Sequence, residues 1–167
     1  MRVAIVDDEH LARERLQRMI RDLTDYEVVG EAGNGMDAVK LVSDAAPDIV
    51  LLDIRMPGMD GLEAAQHISS IDEPPAIVFC TAYEEHAIEA FNVQAVGYLL
   101  KPVRKDDLAG ALQNAARSNK AQLAALRGDD DARRSHISAN TRRGIELVPV
   151  DDIRYFQADQ KYVTVSH

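Results

Sequence analysis

The chain has 167 residues, 46% of them hydrophobic, which is enough for one well-packed domain with some chain left over. Its formal net charge of -9 and sequence pI of about 5.0 exclude strong non-specific binding of nucleic acid, so any DNA contact needs a local basic patch. The single cysteine, Cys80, excludes an internal disulfide, and the absence of a signal-like or membrane-length apolar run predicts a cytoplasmic protein with no membrane partner.

The first two thirds of the chain alternate short apolar runs with segments of helical periodicity. Strands are predicted at Val3–Val6, Glu27–Glu31, Ile49–Leu52, Ala76–Cys80 and Gly97–Leu100. Helices are predicted around Leu11, Leu16, Met19, Ile20 and Leu23, at Asp37–Ala46, around Leu62, Ala65 and Ile68, at Glu84–Phe91, and from Asp106 through Leu108, Leu112, Ala115 and Ala116, with Leu123 and Leu126 extending the last one. Five such units predict an α/β fold with a doubly wound parallel sheet, whose working site lies at the carboxyl ends of the strands.

The composition changes after Arg127. The apolar-free segment Gly128–Asp131 is typical of a linker, and short strands are predicted at Ile145–Leu147, Ile153–Tyr155 and Tyr162–Val165. A tail of this size cannot bury a core alone. Two alternatives stay open: the tail packs on the first domain, or the chain is cut inside a second domain.

Charged and polar side chains follow four of the predicted strands. Asp7 and Asp8 come after the first strand, Asp53 after the third, and Thr81 and Lys101 end the fourth and fifth. If the first and third strands are neighbours, the three carboxylates converge, repel one another and favour a bound cation, for which all-oxygen ligands indicate Mg²⁺. A hydroxyl and an ammonium beside them suit phosphate oxygens, so the group predicts a phosphoryl site on a carboxylate.

Each of these residues also has an ordinary structural explanation. Asp7 and Asp8 are equally suited to the N-terminus of the first helix, and Lys101 taken singly is an ordinary surface lysine. Thr81 alone indicates nothing. The functional hypothesis depends on all of them falling at the ends of successive strands.

The motifs Val6–Glu9, Pro47–Gly61, Thr81-Ala82 and Lys101-Pro102 together resemble the signature of response-regulator receivers over roughly residues 1–118. The resemblance implies a flavodoxin-like sheet of order 2-1-3-4-5. It implies that a sensor histidine kinase, or a small donor such as acetyl phosphate, phosphorylates one aspartate in the presence of Mg²⁺. It also implies a cis peptide bond before Pro102.

The resemblance further implies a role for individual residues. Asp53 would accept the phosphoryl group, Thr81 and Lys101 would hold its oxygens, and Tyr98 would be the switch aromatic. Bulky Arg55 and Tyr83 would obstruct the hydrolytic water and lengthen the phosphoryl lifetime. The metal ligands would be Asp7, Asp8, Asp53 and the backbone carbonyl of Arg55.

Residues 136–167 resemble the start of a LytTR DNA-binding domain, notably in Ile153–Phe156 and Asp159–Val163. With the receiver before it, the chain resembles transcriptional regulators of the AlgR/LytR family. The implied domains are a receiver at 1–118, a helix extension and linker at 119–135, and an incomplete all-β LytTR fragment at 136–167. Lys161 and Tyr162 are candidates for DNA contact, and a solvated loop explains them equally well.

The leading hypothesis is therefore a phosphorylation-switched regulator of transcription whose full-length form binds promoter DNA as a homodimer through the complete output domain. One alternative is a stand-alone receiver that signals through protein contacts. Another is an enzyme, a phosphatase with an aspartyl-phosphate intermediate; such hydrolases need a second carboxylate where this chain has Arg55, so no enzyme is expected. The basic residues Arg133, Arg134, Arg142 and Arg143 suit either DNA phosphates or a solvated linker.

Overall fold

The computed structural model describes residues 1–126, 136–141, 144–149, 155–159 and 162–166, and these divide into two compact units, Met1–Leu123 and Ala124–His167. No helix among these residues is both long enough and apolar enough to cross a membrane. The candidates Arg133, Arg134, Arg142, Arg143 and Lys161, the predicted linker and the start of the strand predicted at Ile153 lie outside the described residues.

The first unit is the predicted α/β domain. Its five parallel strands lie in the order β2-β1-β3-β4-β5, as the resemblance implied. The strands are β1 (Arg2–Val6), β2 (Glu27–Ala32), β3 (Ile49–Leu52), β4 (Ala76–Thr81) and β5 (Gly97–Leu100). The helices are α1 (His10–Arg21), α2 (Gly35–Ala45), α3 (Gly61–Ser69), α4 (Ala87–Asn92) and α5 (Lys105–Leu126).

Two hydrophobic cores cover the two faces of this sheet. One packs α2, α3 and α4 against the sheet and the other packs α1 and α5. Every residue of β3 and β4 is buried, as expected for central strands covered on both faces. Because helices cover both faces of the central strands, the polar residues of the predicted site gather at the carboxyl ends of those strands.

Local signals account for the helix ends. The side chain of Asn34 accepts a hydrogen bond from the amide of Asp37 and caps the start of α2. The side chain of Asp60 accepts one from the amide of Glu63 and caps the start of α3. Ala46 ends α2 in the left-handed conformation, with φ 44°, directly before Pro47.

Two sequence-based predictions are wrong in detail. Leu11 was placed with the apolar residues of α1, yet it is 75% exposed. It lies five residues before the buried Leu16, about 140° away around the helix, so it cannot share the stripe that Leu16 and Ile20 form. Helix α4 begins at Ala87 instead of Glu84, because a turn closed by the Ala87 amide and the Glu84 carbonyl precedes it.

The second unit contains two antiparallel strand pairs, each described by itself. β6 (His136–Thr141) pairs with β7 (Gly144–Pro149), and β8 (Tyr155–Asp159) pairs with β9 (Tyr162–Ser166). The predicted strands around Ile145 and Tyr162 are confirmed, whereas β6 was not predicted. Tyr162 is the first residue of β9, so the strand and not the loop interpretation of this residue is confirmed.

The interior position of Cys80 gives a testable consequence. The residue is 1% exposed, and burial raises the pKa of its thiol to about 12. Because the thiolate is the reactive form, Ellman's reagent should modify Cys80 at least ~100-fold more slowly in the native protein than in urea. Prompt modification of the native protein would contradict the buried position of the strand.

Candidate functional site

The parallel register brings the ends of β1 and β3 together. Val6 pairs with Leu52, and the amide of Asp53 donates to the Val6 carbonyl at 2.8 Å. Asp7 and Asp53 therefore emerge side by side, and both are buried. Asp8 is exposed, yet one carboxylate oxygen of each of the three aspartates lies within 4.8 Å of the others.

The other side of the site comes from β4 and β5. Thr81 pairs with Leu100, and the amide of Lys101 donates to the Thr81 carbonyl at 2.9 Å. The Thr81 hydroxyl is fully buried and accepts from the amide of Tyr83 at 3.4 Å. The peptide bond between Lys101 and Pro102 is cis, as expected.

Lys101 links the two halves electrostatically. Its Nζ donates to Oδ2 of Asp53 at 3.2 Å and lies 2.7 Å from Oδ2 of Asp7. The second contact is an ion pair without hydrogen-bond geometry, so that Asp7 oxygen is buried with no hydrogen bond. A buried carboxylate oxygen that already has an ammonium as its partner is in a position suited to cations.

Burial and neighbouring charges shift the pKa values of Asp53 and Lys101. Burial raises the pKa of Asp53, the charge of Lys101 opposes this, and the charge of Asp7 adds to it. Burial by itself would lower the pKa of Lys101, but its contacts with Asp7 and Asp53 outweigh burial and raise it. One ammonium faces three carboxylates, so the site carries an excess negative charge that a divalent cation would offset.

Gly61 sets the shape of the loop after Asp53. A Cβ at this position would lie 2.8 Å from Cα of Ile54 and well inside the contact distance of the Asp53 carbonyl oxygen. The Gly61 amide also donates to the Ile54 carbonyl at 2.7 Å. Only glycine allows this approach, and α3 can therefore begin directly beneath the site.

Tyr98 connects β5 to the loop after β4. Its ring lies 6.4 Å from that of Phe79, and its hydroxyl donates to the backbone carbonyl of Tyr83. Burial raises the pKa of the Tyr98 hydroxyl, and Glu85 and neighbouring carboxylates raise it further. The hydroxyl is therefore a stable donor to the segment that follows Thr81.

Arg55 and Tyr83 form one contact beside the site. The Arg55 guanidinium lies 4.6 Å from the centre of the Tyr83 ring, and its Nη2 lies 3.5 Å from Glu85. The sequence singled out both residues separately; their pairing is a finding of the structure. Such a pair keeps two bulky side chains together, one two residues after Asp53 and the other two residues after Thr81.

Sequence reasoning missed the part played by Arg13. Its Nη1 donates to the backbone carbonyl of Asp7 at 2.6 Å, from a position one turn inside α1. A contact between a side chain and a backbone carbonyl leaves no mark in residue spacing. The receiver motif contains Gly61, but its close approach to Asp53 likewise has no signal in the sequence.

Comparison with known proteins identifies the family of this site. A family model described as the response regulator receiver domain matches residues 3–113. The positive alginate biosynthesis regulatory protein of Pseudomonas aeruginosa is 55% identical, covering 100% of this chain and 69% of that protein. The transcriptional regulatory protein YpdB of Escherichia coli K12 is 34% identical, covering 99% and 68%, and the sensory transduction protein LytT of Bacillus cereus is 34% identical, covering 99% and 69%.

Solved receiver structures give the same result. The response regulatory domain of mrkE from Klebsiella pneumoniae has a TM-score of 0.66 at 38% identity, covering 72% of this chain and 98% of that one. The receiver domain of NarL from Mycobacterium tuberculosis has a TM-score of 0.65 at 36% identity, covering 70% and 95%. The chain therefore belongs to the response regulators of two-component systems, within the AlgR/LytR family, and its receiver domain includes residues 3–113.

Proposed function

We propose that this receiver accepts a phosphoryl group on Asp53 from a sensor histidine kinase and switches a LytTR-type output that controls transcription. The observation that carries the proposal is the position of Asp53. Its buried carboxylate lies 3.2 Å from Nζ of Lys101 and within 4.8 Å of ligand oxygens of Asp7 and Asp8. A nucleophile, a cation site and a donor for phosphoryl oxygens thus meet at one point.

The transfer step needs little beyond positioning and charge. An oxygen of Asp53 attacks the phosphorus of a phosphohistidine, the P–O bond forms as the P–N bond breaks, and the departing imidazole nitrogen keeps the electron pair. Lys101 and the Thr81 hydroxyl would hold the phosphoryl oxygens. Mg²⁺, when bound by Asp7, Asp8, Asp53 and the Arg55 carbonyl, would neutralise charge on those oxygens.

The readout would travel through Tyr98. Movement of Thr81 toward the phosphoryl group would shift the loop that follows it, and the hydroxyl of Tyr98 is bonded to that loop at Tyr83. Phosphorylation would then favour one of two arrangements that already exist in the free protein. β5 lies at the edge of the sheet, so a change in Tyr98 is available to a partner.

For the output we propose a receiver at 1–118, a helix extension and linker at 119–135, and the beginning of a LytTR domain at 136–167. Support comes from two relatives that align with 99–100% of this chain, one named as a regulatory protein and the other as a transcriptional regulatory protein. The protein would act in the cytoplasm as a homodimer on promoter DNA, with Lys161 and Tyr162 near the duplex. Selection of bound DNA from a pool of random duplexes tests this output. If neither this chain nor a longer form enriches a shared DNA sequence, the proposed DNA-binding output is contradicted.

Intact mass spectrometry tests the central step. Incubation of the chain with acetyl phosphate and Mg²⁺ should add one phosphate, and the adduct should vanish in Asp53→Ala. Asp48→Ala provides a matched control, because this aspartate lies at the opposite end of the same strand, where its side chain accepts from the Arg2 amide. An adduct that persists without Asp53 would sink the proposal.

The lifetime of the phosphoryl group gives a separate prediction. Arg55→Ala with Tyr83→Ala should speed loss of phosphate severalfold, because the stacked pair would no longer obstruct the attacking water. Each single variant should have a smaller effect, since the side chain that remains would still obstruct part of the water's approach. The decay of the mass adduct after removal of acetyl phosphate measures the rate, and an unchanged half-life would refute the obstruction.

A further inference from the structure

Arg13 is a charged side chain of α1 that lies mostly inside the protein. Its side chain is 17% exposed and contacts the residue that follows β1, a residue of β2 and, through Nη2 at 3.4 Å, Nδ1 of His10 in its own helix. Nη1 donates to the backbone carbonyl of Asp7 at 2.6 Å, and Nε donates to Oε2 of Glu31 at 3.3 Å. The planar guanidinium can make both contacts at once, which a lysine ammonium at the same distance does not match.

The carboxylate that orients Arg13 is itself held. Glu31 lies near the end of β2, and its second oxygen, Oε1, accepts a hydrogen bond from the side chain of Gln17. Gln17 stands four residues after Arg13, on the same side of α1. The side chain of Arg13 is therefore held in place by contacts between its own helix, α1, and the edge strand β2, without a bound ligand.

Asp7 is the residue that this arrangement holds in place. Its amide donates to the Ala32 carbonyl at 3.1 Å, and its Oδ1 accepts from the Glu9 amide at 3.0 Å. The contact with Arg13 fixes the remaining main-chain group, the carbonyl that joins Asp7 to Asp8. Rotation of that peptide would redirect both neighbouring carboxylates.

We propose that Arg13 is a positioning residue for the cation site: by fixing the Asp7 carbonyl, it sets the turn that aims the Asp7 and Asp8 carboxylates. The inference rests on the proposed Mg²⁺-dependent function. Residues that orient metal ligands contribute about 10–100-fold to metal affinity, and we expect Arg13→Gln to weaken Mg²⁺ binding by at least ~10-fold.

The sign of the effect separates positioning from charge. Arg13 is a cation near a cation site, so if it acted through charge alone, its removal would strengthen Mg²⁺ binding. Positioning predicts the opposite. Arg18→Gln is the matched control, because Arg18 belongs to the same helix, carries the same charge and has a 73% exposed side chain that pairs with Glu14.

Isothermal titration of the unphosphorylated chain with Mg²⁺ gives the affinities, and phosphate adduct yield is measured at low and saturating Mg²⁺. Arg13→Gln should bind Mg²⁺ weakly but recover the wild-type adduct yield at saturating Mg²⁺. Arg13→Lys should behave like Arg13→Gln. Arg18→Gln should match the wild type in both measurements. Unchanged or tighter binding by Arg13→Gln overturns the inference, even if urea unfolding shows lower stability. Absence of Mg²⁺ binding in the wild type would instead refute the proposed function. If Arg13→Gln fails to fold, Arg13→Lys carries the same comparison.

Discussion

A Lys101→Met variant should lose about 3 kcal/mol of unfolding free energy at neutral pH in the absence of Mg²⁺. The side chain of Lys101 is 22% exposed, and its ammonium compensates the buried carboxylates of Asp53 and Asp7. Methionine fills similar space but leaves both carboxylates without a positive partner. Urea unfolding in EDTA measures the loss.

The same variant should be less destabilised in acid. Burial already raises the pKa of Asp53 in the folded protein, and without the opposing charge of Lys101 it should rise further. A carboxyl group whose pKa is higher in the folded than in the unfolded protein contributes its full stability below the unfolded pKa of about 4. That contribution is lost as the pH rises through the pKa of the folded protein. The deficit of Lys101→Met should therefore grow from about pH 4 toward pH 7.

Mg²⁺ should also rescue the variant. With no ammonium to compete, the carboxylates should bind the cation more tightly, and ligand binding to the native state raises stability. Lys105→Met is the control, because Lys105 pairs with Asp22 in an exposed contact of 2.9 Å that is worth little. Equal losses in the two variants, or a loss independent of pH and Mg²⁺, would contradict the central charge role of Lys101.

Gly61→Ala should destabilise the protein by about 1–3 kcal/mol and reduce phosphate acceptance on Asp53. The added methyl meets backbone atoms of Asp53 and Ile54, which cannot rotate away as a flexible side chain would. The loop must therefore shift, and it carries the acceptor with it. Thermal unfolding and the yield of the mass adduct measure the two effects.

Gly110→Ala is the matched control for this substitution. Gly110 lies inside α5, and an added Cβ there has open space around it. Replacing a helical glycine with alanine should stabilise the protein by up to ~1 kcal/mol without changing phosphate acceptance. The two alanine variants should move stability in opposite directions, and a tolerated Gly61→Ala would mean that the close approach is not obligatory.

A helix or strand could be predicted accurately where the residues beside it in the sequence mark its ends. β3 and β5 have the bounds that the sequence predicted. Each is an apolar run followed directly by a charged residue, and a proline lies close to one end of each strand. The start of α4 was wrong because nothing local distinguishes Glu84, which closes a turn, from a residue in the first turn of a helix. Leu11 was misplaced because spacing among leucines identifies a helix but not which of its faces is covered.

The candidate site divides in the same way. Asp7, Asp8, Asp53, Thr81 and Lys101 could be singled out because parallel strands deliver their carboxyl ends to one edge. Arg13 could not, since its partner is a backbone carbonyl that has no identity in the sequence. Contacts to main-chain atoms depend on the final packing of a helix against a strand, so residue spacing does not predict them.

The order of strands along the chain has a consequence for protein synthesis. Asp7 follows the first strand of the parallel sheet and Lys101 the fifth, while Asp53 follows the third. A nascent chain emerges from its amino end, so the acceptor carboxylate leaves the ribosome well before β5 can pair with β4. An unfinished chain thus carries the acceptor without its ammonium partner. Under the proposed function, competence to accept phosphate would arise only after β5 has paired with β4, so only receivers with a complete sheet would carry the signal.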